Sequence, residues 1–250
     1  FIFDMKKITL DIILPVYNEE EDLSSSVETL VFFVTTHLKE YKTTIVIADN
    51  ASTDKTYEIA NAMTKKYAIV SSIHLKEKGR GRAVKKAWLQ STARFVCYMD
   101  IDLSSDLRHL PALIHSLSRG YDISIGTRNA AGSLVYGRSA LRTITSKMYI
   151  ILIKLFFFVN FSDAQCGFKA MSSTIARTIL PRIRDNEWFF DTELLVLAEK
   201  SGIRIYEEPV RWVDNPGSTV RVLKTAFGDL KGLYRLFMTR PWKNLQYDRH

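Results

Sequence analysis

The chain has 250 residues, 46% of them hydrophobic, and a formal net charge of +8. That length suffices for one α/β domain with a sizeable core, and the charge favours anionic partners, either nucleic acid or an anionic membrane surface. Two cysteines, Cys97 and Cys166, exclude a disulfide framework and make a reducing compartment the default, while no run reaches the ~18 uninterrupted apolar residues of a spanning helix.

Ile8–Val16 is a short, β-branched apolar run that stops at a proline and an asparagine, the pattern of a buried parallel strand. Glu20–Tyr41 follows with Leu23, Val27, Leu30 and Val34 at helical spacing. Thr44–Ala48 reads as the second strand. Ser52–Tyr67 reads as the second helix, capped near Ser52 or Thr53, with Asp54 in its first turn. Ile69–His74, Arg82–Thr92 and Arg94–Met99 continue as strand, helix and strand. This alternation predicts a mostly parallel central sheet with helices on both faces. Ligands of such sheets lie at the carboxyl ends of the strands. Pro15–Glu19, Asp49–Asp54 and Asp100–Asp102 all fall there and converge on one crevice with several carboxylates.

Asp100 and Asp102 are the sharpest feature. At a strand end, residues i and i+2 point the same way, and two adjacent carboxylates repel unless a cation lies between them. A hard divalent cation, Mg²⁺ or Mn²⁺, suits that pair and binds diphosphate oxygens as well; without one they are solvated loop acids. Lys78-Gly79-Arg80-Gly81-Arg82 precedes a helical run. Its glycines let the backbone approach an anion, with the helix supplying amide donors; the alternative is a basic surface turn.

Taken in order, Pro15-Val16-Tyr17-Asn18-Glu19, Asp49-Asn50-Ala51-Ser52-Thr53-Asp54, Lys78-Gly79-Arg80-Gly81, Asp100-Ile101-Asp102-Leu103-Ser104, Gly126-Thr127-Arg128 and Asp163-Ala164-Gln165-Cys166-Gly167-Phe168-Lys169 carry a resemblance. From about residue 8 to residue 235 the chain resembles the inverting family 2 glycosyltransferases of GT-A fold, and within them the polyprenyl-phosphate and dolichyl-phosphate glucose and mannose synthases. The resemblance implies that Pro15, Tyr17 and Glu19 frame the base and ribose of a nucleotide sugar, with Asp49 or Asn50 meeting the base and Lys78 and Gly79 completing the donor site. Asp100 and Asp102 would hold Mg²⁺ or Mn²⁺ on the diphosphate, with Ser104 where some relatives carry a further glutamine ligand. Arg128 and Arg142 match positions implied to grip the acceptor's phosphate, and Asp163 matches an acid proposed as base or orienting group. Two departures stand out. Asp49-Asn50 replaces a pair of aspartates, and Ser218-Thr219 replaces a Ser-Lys, with Arg221 two positions on as the substitute cation.

A carboxamide at Asn50 matches the donor and acceptor of uracil; if Asp49 faces the base instead, UDP and GDP stay open. The 163–169 segment followed by Trp188–Leu194 is more similar to the glucose-type synthases, which favours UDP-glucose over GDP-mannose. A family 2 transferase with a polysaccharide acceptor is the other enzyme reading. A membrane-surface protein that binds nucleotides or headgroups without turnover is the non-enzyme reading.

Leu141–Phe161 is apolar nearly all round for three turns and carries Arg142, Lys147 and Lys154. It is either a buried core helix or an interfacial one, and a polyprenyl acceptor favours the second. Lys224–Trp242 has Phe227, Leu230, Leu233, Tyr234 and Phe237 at helical spacing among basic residues. These stretches fit an anionic lipid surface better than nucleic acid, for which no motif is present. The expected organisation is a catalytic domain over 1–222 and an amphipathic juxtamembrane segment over 223–250. The protein would be membrane-associated, with its active site facing the cytoplasm.

Overall fold

In β1 (Ile8–Val16) alternate side chains leave the strand in opposite directions, and the two sides meet different cores. Leu10, Ile12, Leu14 and Val16 pack under α1 (Leu23–His37), α2 (Thr56–Lys66) and α4 (Leu110–Ser118). Ile13 packs on the opposite side with α3 (Arg80–Gln90), α5 (Ala140–Phe157), α6 (Ser173–Ile179) and α7 (Phe190–Lys200). The chain is thus a three-layer α/β sandwich, as the alternation of strands and helices predicts. The structure is a computed structural model that describes residues 7–214 and 222–245, the side chains of 222–226 excepted.

The central sheet adds β2 (Tyr41–Asp49), β3 (Val70–His74), β4 (Phe95–Met99), β5 (Ile123–Thr127), β7 (Phe168–Ser172) and β8 (Ile205–Pro209). Its order is β3-β2-β1-β4-β7-β5-β8, and only β7 runs antiparallel to its neighbours. β2 and β4 flank β1 on opposite sides. The order of the chain reverses there, which opens a crevice beyond the carboxyl ends of β1 and β4. A small parallel pair, β6 (Leu134–Tyr136) and β9 (Arg211–Val213), lies apart from the main sheet. α8 (Val222–Thr239) closes the described chain together with a 3₁₀ turn, Pro241–Asn244.

Several boundaries differ from the sequence reading. α1 ends at His37, because Tyr41 already pairs with Ile8 in the sheet. α2 begins at Thr56, and neither Ser52 nor Thr53 caps it. Their polar groups are engaged elsewhere: Ser52 Oγ accepts the Asn18 amide at 3.0 Å, and the Thr53 amide donates to Asn18 Oδ1 at 2.8 Å. Tertiary partners have outcompeted the local cap.

The two amphipathic stretches each have two environments. On α5, Ile150, Ile153 and Phe157 are buried, while Leu141, Ile144, Met148, Ile151, Leu155 and Phe156 are exposed. Phe157 is thus a core residue, not a lipid-facing one. On α8, Leu233 and Leu236 enter the core, while Phe227, Leu230, Tyr234, Phe237 and Met238 are exposed. The helices touch edge to face through Phe156 and Phe237, with ring centroids 5.8 Å apart. Trp242, expected at an interface, packs edge-on against Phe157 at 5.9 Å. Among the described residues no helix is long and apolar enough to cross a membrane.

Candidate active site at the carboxyl end of the sheet

Three loops leave the central strands, and each turns on a non-glycine residue with positive φ: Asn18 after β1, Ala51 after β2 and Leu103 after β4. Such backbone costs roughly 1–3 kcal/mol per residue, survives only where surroundings enforce it and concentrates at binding sites. The first two loops enforce each other. Besides the Asn18 contacts, the Glu19 amide donates to Thr56 Oγ1 at 2.7 Å, and Glu20 Oε2 accepts the Lys55 amide at 3.0 Å. The Pro15–Glu19 and Asp49–Asp54 motifs therefore form one locked rim.

Within that rim the Tyr17 ring lies 3.2 Å beneath the Lys78 ammonium. Asp49 and Asn50, one or the other of which is expected to meet the base, are both turned inward. Asp49 is 0% exposed; its Oδ2 lies 2.5 Å from His74 Nδ1, and its Oδ1 accepts the Ser52 amide. Asn50 is also buried, and its Oδ1 accepts the Gly79 amide at 2.6 Å. An oxygen so engaged keeps one lone pair, and a match with uracil requires Asn50 to share it. Two amides of the Lys78–Arg82 segment are engaged within the fold. The Gly79 amide belongs to Asn50, and the Arg82 amide donates to Asn186 O at 3.0 Å. The glycines also allow close packing, since a Cβ on Gly81 would fall 2.5 Å from Phe190 Cβ.

β4 ends at Met99, so Asp100 and Asp102 sit in a turn rather than on a strand. The turn still brings carboxylates together. Burial, then the charges of Asp22, Asp102, Asp54 and Asp100, push Glu19 up to about 7. Asp102 is raised by burial and by Asp100, against the opposing Ser104 hydrogen bonds. This crowd of hard oxygen donors, each disfavouring the next, suits a divalent cation. No group of three or more His, Cys, Asp or Glu among the described residues is arranged to hold a metal alone. Asp100 and Asp102 would hold one only with diphosphate oxygens and water completing the shell.

Beneath Asp100 runs a buried charge network that the sequence reading missed. Arg80 reaches Asp100 at 2.6 Å and Asp191 at 2.7 Å. Lys169, fully buried, lies 3.0 Å from the same Asp191, which also accepts the Tyr98 hydroxyl. Arg80 and Lys169 belong to recognised motifs, but their partner lies on α7. Two cations around two carboxylates keep the network neutral, as burial requires.

Further along, Arg128 is buried against Asp163, and Arg142 Nη1 lies 2.7 and 2.6 Å from the two oxygens of Asp214. Burial is the largest influence on Asp163 and would raise its pKa; the Arg128 charge, the Arg128 hydrogen bonds and the Lys169 charge together outweigh it and hold the carboxyl at about 2. Arg128 also feels Asp100, which ties this end of the site to the acidic turn. Arg138, not singled out in the sequence, shares the Trp212 ring with Arg128: their guanidinium carbons lie 5.8 and 5.4 Å from its centroid. Its only sequence signal was its place four residues before Arg142. Ser104 is buried, and its amide donates to Asp102 Oδ1 at 3.0 Å. Arg221, Ser218 and Thr219 lie outside the described residues.

The family model Glycosyl transferase family 2 matches residues 11–180. Glycosyltransferase AglD of Haloferax volcanii is 30% identical over 88% of this chain, which spans only 36% of that protein. Dolichyl-phosphate beta-glucosyltransferases of Dictyostelium discoideum and Drosophila melanogaster are 29% and 30% identical over 94% and 86% of the chain, covering 77% and 70% of their own lengths. Among solved structures, glucosyl-3-phosphoglycerate synthase from Mycobacterium tuberculosis in complex with uridine-diphosphate superposes with a TM-score of 0.67 at 15% identity. It covers 94% of this chain and 80% of its own, and shares the fold. The same enzyme has been seen with Mn²⁺, uridine-diphosphate and phosphoglyceric acid, at a TM-score of 0.66 and 14% identity over 96% of this chain and 80% of its own.

Proposed function

The chain belongs to glycosyl transferase family 2, and from that premise we propose that it transfers glucose from UDP-glucose to the phosphate of a polyprenyl or dolichyl phosphate, with inversion. The observation that carries this reading is the carboxylate group Glu19, Asp100 and Asp102 at the β1–β4 crevice, with arginines beyond it. The names of the Dictyostelium and Drosophila relatives support the choice of sugar and acceptor.

Tyr17 and Lys78 form the wall against which the nucleoside lies, with Pro15, Glu19, Asn50 and Gly79 around it. Asp100 and Asp102 would hold a divalent cation, Mg²⁺ or Mn²⁺, which would supply positive charge to neutralise the departing diphosphate. Arg128 and Arg142 orient the acceptor phosphate. A phosphate oxygen forms the new bond to the anomeric carbon as the bond to the UDP oxygen breaks, and UDP leaves with the electron pair. Attack from the opposite face inverts the centre. The acceptor is already an anion near pH 7, so no proton has to be removed from it. Asp163, held at about 2, is a weak base and acts by fixing Arg128.

A phospholipid acceptor requires access to a membrane. The exposed apolar residues of α5 and α8, with Lys147, Lys231 and Arg240 exposed beside them, would lie in an anionic membrane surface on its cytoplasmic side. The catalytic domain would then be 1–222 and the juxtamembrane segment 223–250. Incubation with radiolabelled UDP-glucose, Mn²⁺ and dolichyl phosphate tests the reading. A labelled, chloroform-soluble product is expected; its absence, with transfer from GDP-mannose or to a water-soluble acceptor instead, would overturn it.

A further inference from the structure

The two arginines assigned to the acceptor phosphate each have a carboxylate of their own. Arg128 lies on Asp163, with Nε 2.7 Å from Oδ2. Arg142 lies on Asp214. Between them stands Arg138, in the loop that joins β6 to α5. Its Nε is sealed from solvent and finds no acceptor among the described residues. Burial, then the charges of Arg128 and Arg142, lower its pKa to about 10, with Asp163 and Asp214 only partly offsetting them. Among the described residues, Arg128 and Arg142 each have a carboxylate in direct contact, while half-buried Arg138 has none.

A structural arginine in such a place is ordinarily paired, because a buried donor without an acceptor destabilises the fold. Trp212 holds the planes in position, since Arg128 and Arg138 share its ring. What is missing is an anion with several acceptor oxygens.

We propose that Arg138 binds a phosphomonoester and supplies the uncompensated charge that recognises it, with Arg128 and Arg142 as the walls of the pocket. A guanidinium also offers its two Nη groups as a planar pair of donors, which fits two phosphate oxygens at once. The inference rests on the transferase reading, in which this phosphomonoester is the headgroup of the acceptor. The pocket's chemistry is equally that of free phosphate, and the two sources are separable.

The experiment uses the whole chain and its Arg138→Gln and Arg138→Lys variants. Calorimetry follows binding of farnesyl phosphate in detergent, of inorganic phosphate, and of UDP with Mn²⁺. Arg138→Gln is expected to weaken farnesyl phosphate at least about tenfold and to leave UDP–Mn²⁺ within about twofold. Arg138→Lys should fall between the parent and the glutamine variant, keeping the charge but losing the fork. In turnover, Arg138→Gln should raise the KM for the acceptor and not that for UDP-glucose. If inorganic phosphate competes and shows the same loss, the phosphate group alone is recognised. If it does not compete while farnesyl phosphate still depends on Arg138, the lipid must present it; both outcomes support the pocket. Inorganic phosphate bound through Arg138 by a parent that ignores farnesyl phosphate would sink the lipid-acceptor reading and keep the pocket. Farnesyl phosphate bound equally by parent and Arg138→Gln overturns the inference. So does a parallel loss of farnesyl phosphate and UDP, which would mark Arg138 as a structural residue.

Discussion

Arg128 and Asp163, 35 positions apart, meet as a fork on a carboxylate: Nε lies 2.7 Å from Oδ2, and Nη2 lies 2.9 Å from Oδ1. Asp163 is buried and the Arg128 side chain is only 9% exposed, and the Arg128 amide adds a third contact at 3.1 Å. Charge-assisted contacts of this geometry are the strong ones, and breaking one from one side leaves a buried charge without a partner.

Asp163→Asn should therefore lose about 3–5 kcal/mol of stability at neutral pH. The pair also has a pH signature. Its carboxyl is held at about 2, below its ordinary value of 3.8. The stability this contributes is present above pH 3.8 and is lost as the pH falls toward 2. Chemical denaturation of parent and variant at pH 7 and pH 3 measures both effects, and the gap between them should narrow at the lower pH.

Asp102→Asn should cut transfer at least about 100-fold, or roughly 2.7 kcal/mol, with the fold intact. Without metal the variant should be no less stable than the parent, because it removes a carboxylate that Asp100 and burial already disfavour. Turnover and metal-free thermal melting check the two halves. Activity within about threefold of the parent would rule out Asp102 as a metal ligand.

Gly167→Ala probes the same turn from behind. A Cβ there would lie 1.8 Å from Asp100 Oδ2, so the carboxylate must swing away from its place beside Arg80. Mn²⁺ affinity, read by calorimetry with UDP present, should drop about tenfold or more while circular dichroism is unchanged. Unaltered affinity would mean that the position of Asp100 does not matter.

Ile151 and Phe157 share α5 but face different surroundings, at 55% and 2% exposure. Ile151→Glu should release the protein from anionic vesicles in a flotation assay without lowering its melting temperature. Phe157→Glu should unfold it, since losing a buried phenylalanine alone removes ~3–5 kcal/mol. Flotation of Ile151→Glu at the parent's level would refute the lipid-facing assignment of α5.

Asp229, on α8, is buried; its Oδ2 accepts Gln165 Nε2 at 3.0 Å, and its Oδ1 is unpartnered among the described residues. Burial, then the charges of Asp185 and Asp191, raise it to about 7 against the Gln165 hydrogen bond. A carboxyl raised in the folded state binds more protons there than in the unfolded chain. Its contribution to stability is therefore intact below pH 3.8 and declines as the pH rises to about 7. Asp229→Asn should flatten this decline, melting higher than the parent at pH 8 and no higher at pH 4. Identical pH profiles would show that Asp229 ionises freely.

The amino-acid sequence by itself determined the sandwich and the place of the site. Its apolar alternation sets which side of β1 each residue occupies, and side-chain parity is a local property of an extended chain. Its motif order puts the acids where parallel strands end, and that placement needs no tertiary knowledge. Partners were another matter. Arg142 and Asp214 are 72 positions apart, and Arg80 and Asp191 are 111 apart. Only the return of later elements to the crevice brings each pair together. The same return turned Asp49 and Asn50 inward toward His74 and Gly79, and it divided α5 between core and surface. Periodicity states that a helix has an apolar face, but what covers that face is decided by elements distant in the chain. That is why Phe157 is a core residue, and why Asp163 and Asp214, each held by another arginine, only partly offset the charge of Arg138.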